Sequence, residues 1–174
     1  MTGPLIAQLD SVPESIEAFL ALQESLAQTP EGGVATFLLA LLLRRTDGAL
    51  GIQCLSASVD ASRLTQGSSH TALAKRDLGR IDAQLAANPG IPGAYVRGTG
   101  PANGYALPDL PWMVEMTVNP YSGDPAEGAV KLFVACSGAD SPRPVSVRRQ
   151  ENGLWKPYEW SSLLVGIRPP APKA

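Results

Sequence analysis

The segment PGIPGAYVRGTGPANGYALPDLP, residues 89–111, carries five prolines and five glycines. That density is incompatible with a helix running through it and points to an extended, irregular connector. It also divides the chain by period: before it, apolar residues recur at helical spacing, and after it they alternate with polar ones. A chain patterned in this way folds as α+β, with about four helices first and about five antiparallel strands second.

The helical part is expected over residues 11–88. Ser11-Val12-Pro13-Glu14 has the spacing of a capping box and predicts a helix start there, with Ile16, Phe19, Leu20, Gln23 and Leu26 on one face. Thr29-Pro30 caps and opens a second helix through Val34, Phe37, Leu38, Leu41 and Leu42, apolar nearly all round and therefore the central core helix. A third follows Asp47-Gly48 with Leu50, Cys54, Leu55 and Ser58 at helical spacing. Residues 60–72, with QGSSH at their centre, read as a surface loop. Leu78, Ile81 and Leu85 predict a fourth helix over Leu73 to Ala87, stopped by Asn88-Pro89.

The β part is expected over residues 112–168. Trp112, Val114, Met116 and Val118 form the inward face of one strand, and Val130, Leu132, Val134 and Cys136 that of a second, with the loop NPYSGDPAEG between them. Val145 and Val147 mark a third. Asn152-Gly153 is the strongest hairpin signal in the chain and joins it to a strand through Leu154, Trp155 and Lys156. A last strand over Leu163 to Ile167 precedes a flexible tail, residues 169–174. The turn EWSSL before that strand suits a small SH3-like barrel, or else an open meander.

With 174 residues and 44% hydrophobic content the whole chain, residues 1–174, can bury the core of a single compact unit. The longest apolar run, Val34 to Leu43, is too short to span a bilayer and too far along the chain for a signal peptide, so a cytoplasmic protein is expected. Cys54 and Cys136 sit among apolar neighbours and read as two reduced thiols. Residues 1–60 hold two cations against seven acids, and residues 130–174 hold seven cations against three acids. That polarity suits either ordinary solvated surface or association between an acidic and a basic end.

Little in the chain points to catalysis. His70 is the only histidine, and GSSHTAL offers no strand-turn-helix context for a nucleophile. One His and two separated Cys give no metal-ligand spacing, and no cofactor is expected. GTGPANG has the glycines of a phosphate loop but neither the lysine nor the flanking strand and helix. Arg143, Arg148, Arg149, Trp155, Lys156, Tyr158 and Trp160 mix cations with rings as nucleic-acid binders do, yet a pI near 5.4 argues against a large phosphate-binding contribution.

The stretch SGADSPRP stands out instead. Pro142 and Pro144 fix the chain on both sides of Arg143, and Asp140 and Ser141 can bond nearby amides. Asp140 and Arg143 then read as a pair that either recognises a partner's carboxylate or amide, or locks the loop over the sheet. Trp155 and Trp160 read as partner anchors or as the core and rim of the sheet, with Arg148 and Tyr158 beside them.

NPYSGDP, SGADSPRP and GLWKPYEWSSLLVGIRPP, with GGVATFLLALLL and PANGYALPDLP before them, resemble a family of bacterial proteins built on a domain of unknown function. The resemblance covers nearly the whole chain. It implies bacterial or phage-related origin and one compact unit, and no catalytic residue or cofactor carries over from it. The reading is a non-catalytic module that binds another protein through Asp140, Arg143, Arg148, Trp155, Tyr158 and Trp160. One alternative is an enzyme without histidine, using Asp140, Glu159 or Ser137 with Arg143 on a small substrate. Another is a self-associating structural subunit.

Overall fold

The structure is a computed structural model that describes residues 3–66 and 71–172. His70 lies outside the described residues, as do Lys173 and Ala174 of the tail. The chain runs β1 (Leu5–Leu9), α1 (Ile16–Leu26), α2 (Pro30–Thr46), α3 (Gly48–Ser58), β2 (Leu64–Gln66), β3 (Thr71–Leu73), α4 (Lys75–Ala87), β4 (Trp112–Thr117), β5 (Ala129–Val134), β6 (Arg143–Arg149) and β7 (Trp155–Glu159). The fold is α+β, with four helices and a five-stranded antiparallel sheet of order β1-β4-β5-β6-β7.

The core is built around α2. Thr29 caps it by accepting from the Gly32 amide at 3.1 Å, with Pro30 in the first turn where its missing N–H costs nothing. Every residue from Gly32 to Leu43 is buried, because α2 packs on β1, β5, β6 and β7 and also on α1 and α3. The approach to β7 needs a glycine: a Cβ on Gly33 would run into the Trp155 carbonyl. Arg44 then ties α2 to α4 through a two-pronged bond to Asp82, both N–O distances 2.8 Å.

Three expectations need correction. The cap of α1 is Ser15, which accepts from the Ala18 amide at 3.1 Å, and not Ser11, because residues 10–14 are spent crossing from β1 to the helical layer. Residues 60–72 are not all loop: β2 and β3 pair from Leu64↔Leu73 to Gln66↔Thr71, and the Leu73 amide is held by Ser56 Oγ at 3.0 Å. Leu163 to Ile167 is not a strand. Ser161–Leu163 turns as a 3₁₀ helix and places Leu163 and Leu164 in the core, so the burial has no period of two.

The fifth strand comes from the opposite end of the chain. β1 lies antiparallel to β4, from Leu5↔Met116 to Leu9↔Trp112, with Ala7 and Leu9 facing the core. With β1 and β7 as its two edges the sheet is open and does not close into an SH3-like barrel. The hairpin at Asn152-Gly153 is present, with Gly153 at φ 87° and the Asn152 side chain accepting from the Leu154 amide at 3.1 Å.

Candidate functional site

Arg143 and Asp140 do not pair. Arg143 lies on β6 and donates from Nε to the Ser162 carbonyl and from Nη2 to the Val165 carbonyl, both at 2.9 Å. Its guanidinium closes the 3₁₀ turn onto the sheet, the loop-locking role with a different partner. Asp140 bonds Arg168 Nη1 at 2.7 Å, and its side chain is 96% exposed.

Trp155 and Trp160 are core residues. Trp160 packs on Phe37 with centroids 5.2 Å apart, and Arg63 covers its ring at 5.0 Å. Arg149 lies over Trp155 at 5.7 Å and Arg148 over Tyr158 at 4.2 Å, so Trp155, Tyr158 and Trp160 each already carry an arginine of their own chain. Arg148 also reaches the buried Asp60 at 3.1 Å. Burial opposes the charge of Asp60, but bonds from Gln150 and Ser62 together with Arg148 outweigh it and hold the carboxyl below its ordinary range.

Ser137, Asp140, Arg143 and Glu159 are held in separate places. Ser137 lines a cleft of about 270 Å³ with Tyr95, Thr99 and Cys136, and its hydroxyl donates to the Ala94 carbonyl at 3.1 Å. Glu159 lines a different cleft and accepts from Ser161 and Arg63, with the Ser161 bonds first in holding its carboxyl low. Burial raises the Cys136 thiol, which shares the first cleft, so it is a poor nucleophile at neutral pH. Among the described residues no three His, Cys, Asp or Glu side chains gather as a metal site, and no helix is long and apolar enough to cross a membrane.

The two edges of the sheet differ in chemistry. Along β7 the backbone is sealed: Trp155 N–H donates to the Ala27 carbonyl at 2.8 Å, the Pro157 carbonyl accepts from Asp60 N–H at 2.9 Å, and the Tyr158 carbonyl accepts from Arg63 Nε at 2.8 Å. Along β1 it is open. Met113 and Glu115 turn their carbonyls away from β1, to Arg97 N–H at 2.9 Å and Ala135 N–H at 2.8 Å. Trp112, Val114 and Met116 therefore serve β1 through their partners Leu9, Ala7 and Leu5. The N–H and C=O groups of Ile6 and Gln8 point outward and have no partner among the described residues.

Exposed apolar side chains lie on this edge and near the ends of β1 and β4. Among the described residues seven large hydrophobics are exposed, and four of them, Ile6, Val12, Leu110 and Val118, lie on β1 or within three residues of an end of β1 or β4. Ile6 is 47% exposed. An unpaired strand edge that also exposes an apolar side chain, Ile6, offers both directional hydrogen bonds and desolvation to an added strand. Sequence reading missed β1 because five residues ahead of a helix signal are a weak period, although LIAQL does place Leu5, Ala7 and Leu9 at alternate positions.

The model of a family described as Domain of unknown function (DUF6935) covers residues 11–171. The chain belongs to that family. Searches of curated proteins and of solved structures return no match. The DUF6935 region takes in the helices and β4 to β7, while β1 precedes it.

Proposed function

We propose that this DUF6935 member is a non-catalytic protein-interaction module of the bacterial cytoplasm that accepts an extended polypeptide along β1. The observation that carries the reading is the open backbone of Ile6 and Gln8 beside a β7 edge closed by three hydrogen bonds. Two cysteines that stand free, Cys54 in α3 and Cys136 beyond β5, fit a reducing compartment. Compared with the Asp140–Arg143 loop, the β1 edge has groups to spare: Arg143 is spent on carbonyls of its own chain, whereas Ile6 and Gln8 are not. Arg148 on β6 and Tyr158 on the opposite edge strand β7 stack on one another and do not enter this surface.

Selection from a displayed library of unstructured peptides tests the reading. Binders are expected to slow hydrogen exchange at the Ile6 and Gln8 amides and to be lost with Ile6→Pro, which removes one outward N–H and leaves the β4 pairing of Leu5 and Ala7 in place. Binders that leave those amides unprotected, or that survive the proline, would overturn it.

A further inference from the structure

Resting on that reading of the edge, we infer that the strand seated on β1 is β1 of a second copy of this chain, paired antiparallel about a two-fold axis at Ala7. The backbone pattern is self-complementary. With Ala7 facing Ala7, each Ile6 meets the other copy's Gln8, and both residues have N–H and C=O turned outward. Four hydrogen bonds form across the axis, and the two sheets join into one of ten strands. Pro4, which has no N–H to donate, ends the ladder one step further out.

Charge and polarity suit the same axis. LIAQL has no charged residue, so nothing repels across the join, and Asp10 of one copy falls opposite Pro4 of the other, well away from the second Asp10. The exposed Ile6 side chain lies on the outer face opposite the other copy's Gln8, where part of its surface is covered. Val12 and Leu110 follow Leu9 and precede Trp112 at one end of the edge, and Val118 follows Thr117 at the other. A two-fold brings the Leu9 end of one copy to the Leu5 end of its mate, while Leu110 and Val118 sit on the β4 line one strand behind the join, so the pairing is carried by the β1 backbones and by the exposed Ile6.

Sedimentation of the whole chain on the order of 100 µM, a range in which a small edge-to-edge interface associates, is expected to show a dimer for the wild type and a monomer for Ile6→Pro. Register is tested by cysteine pairs. Opposed residues of a hydrogen-bonded pair have Cα atoms about 5.5 Å apart, within disulfide reach. Ile6→Cys with Gln8→Cys in one chain is therefore expected to cross-link as a dimer under mild oxidation, while Ile6→Cys alone stays monomeric on a denaturing gel. A wild type that sediments as a monomer overturns the self-pairing, and the peptide selection above then decides separately whether the edge accepts other strands. A dimer that persists in Ile6→Pro, or a double-cysteine chain that fails to cross-link, also overturns it. The cysteine test stands even where the proline variant does not fold.

Discussion

Arg148 Nη1 and Asp60 Oδ2 are 3.1 Å apart although 88 residues separate them in the chain. The contact joins the end of the α3 segment to β6, and the Asp60 N–H at the same corner holds the Pro157 carbonyl at 2.9 Å. Asp60 also takes Gln150 Nε2 at 2.7 Å and the Ser62 hydroxyl at 2.5 Å, so one buried carboxylate organises three segments.

The carboxyl of Asp60 is held low, so its contribution to stability is full above the unfolded value, near 3.9, and is lost as the pH falls through the folded value. Urea titrations at pH 7 and pH 3 are expected to show a fall in stability to which Asp60 contributes. Asp60→Asn should cost about 1–3 kcal/mol at pH 7 by weakening charge-assisted bonds, and should show a smaller further loss on acidification. An Asn variant with unchanged stability at pH 7 would refute the role.

Arg143→Ala is expected to destabilise the chain by about 1–3 kcal/mol, because the Ser162 and Val165 carbonyls lose their donors and the turn below Leu163 loosens. Thermal melts check it. Asp140→Ala, by contrast, removes a fully solvated partner of Arg168 and should leave the melting temperature unchanged. Equal effects from the two substitutions would contradict the separation of these residues.

Gly33→Ala should cost about 2 kcal/mol or more through the contact of α2 with the Trp155 carbonyl. Gly79 in α4 meets nothing within 4 Å of an added Cβ, so Gly79→Ala provides the contrast and is expected to stabilise. Chemical denaturation of the two variants beside the wild type measures both signs.

Cys54 is fully buried, and burial pushes its thiol up to about 12. A thiol reagent at neutral pH should leave it unmodified in the folded chain and label it rapidly in denaturant. Labelling of Cys54 at the same rate in both states would show that the α2–α3 packing opens readily.

Much of the architecture was legible locally. The Thr29-Pro30 and Asp47 caps, the stop at Asn88, the alternation through β4 and β5 and the Asn152-Gly153 hairpin are each written in a few neighbouring residues, since capping, turn geometry and side-chain period act within about one turn or one strand. The family resemblance read from the terminal motifs agrees with the match over residues 11–171. The partners of polar side chains were not legible. SGADSPRP presents Asp140 and Arg143 three residues apart, yet a proline lies between them and the sheet offers Arg143 two backbone carbonyls about twenty residues further on.

The sequence by itself determined the four helices, the strands β4 to β7 and that α2 must lie at the centre, because those outcomes follow from period and hydrophobicity. Only the tertiary structure decided which strands form the edges. The pairing of Leu5–Leu9 with Trp112–Thr117 spans more than a hundred residues, and no local propensity reports a contact of that range. That pairing turns Ala7 and Leu9 into core and leaves the backbone of Ile6 and Gln8 facing outward, because neighbouring residues of a strand point their hydrogen-bonding groups to opposite sides.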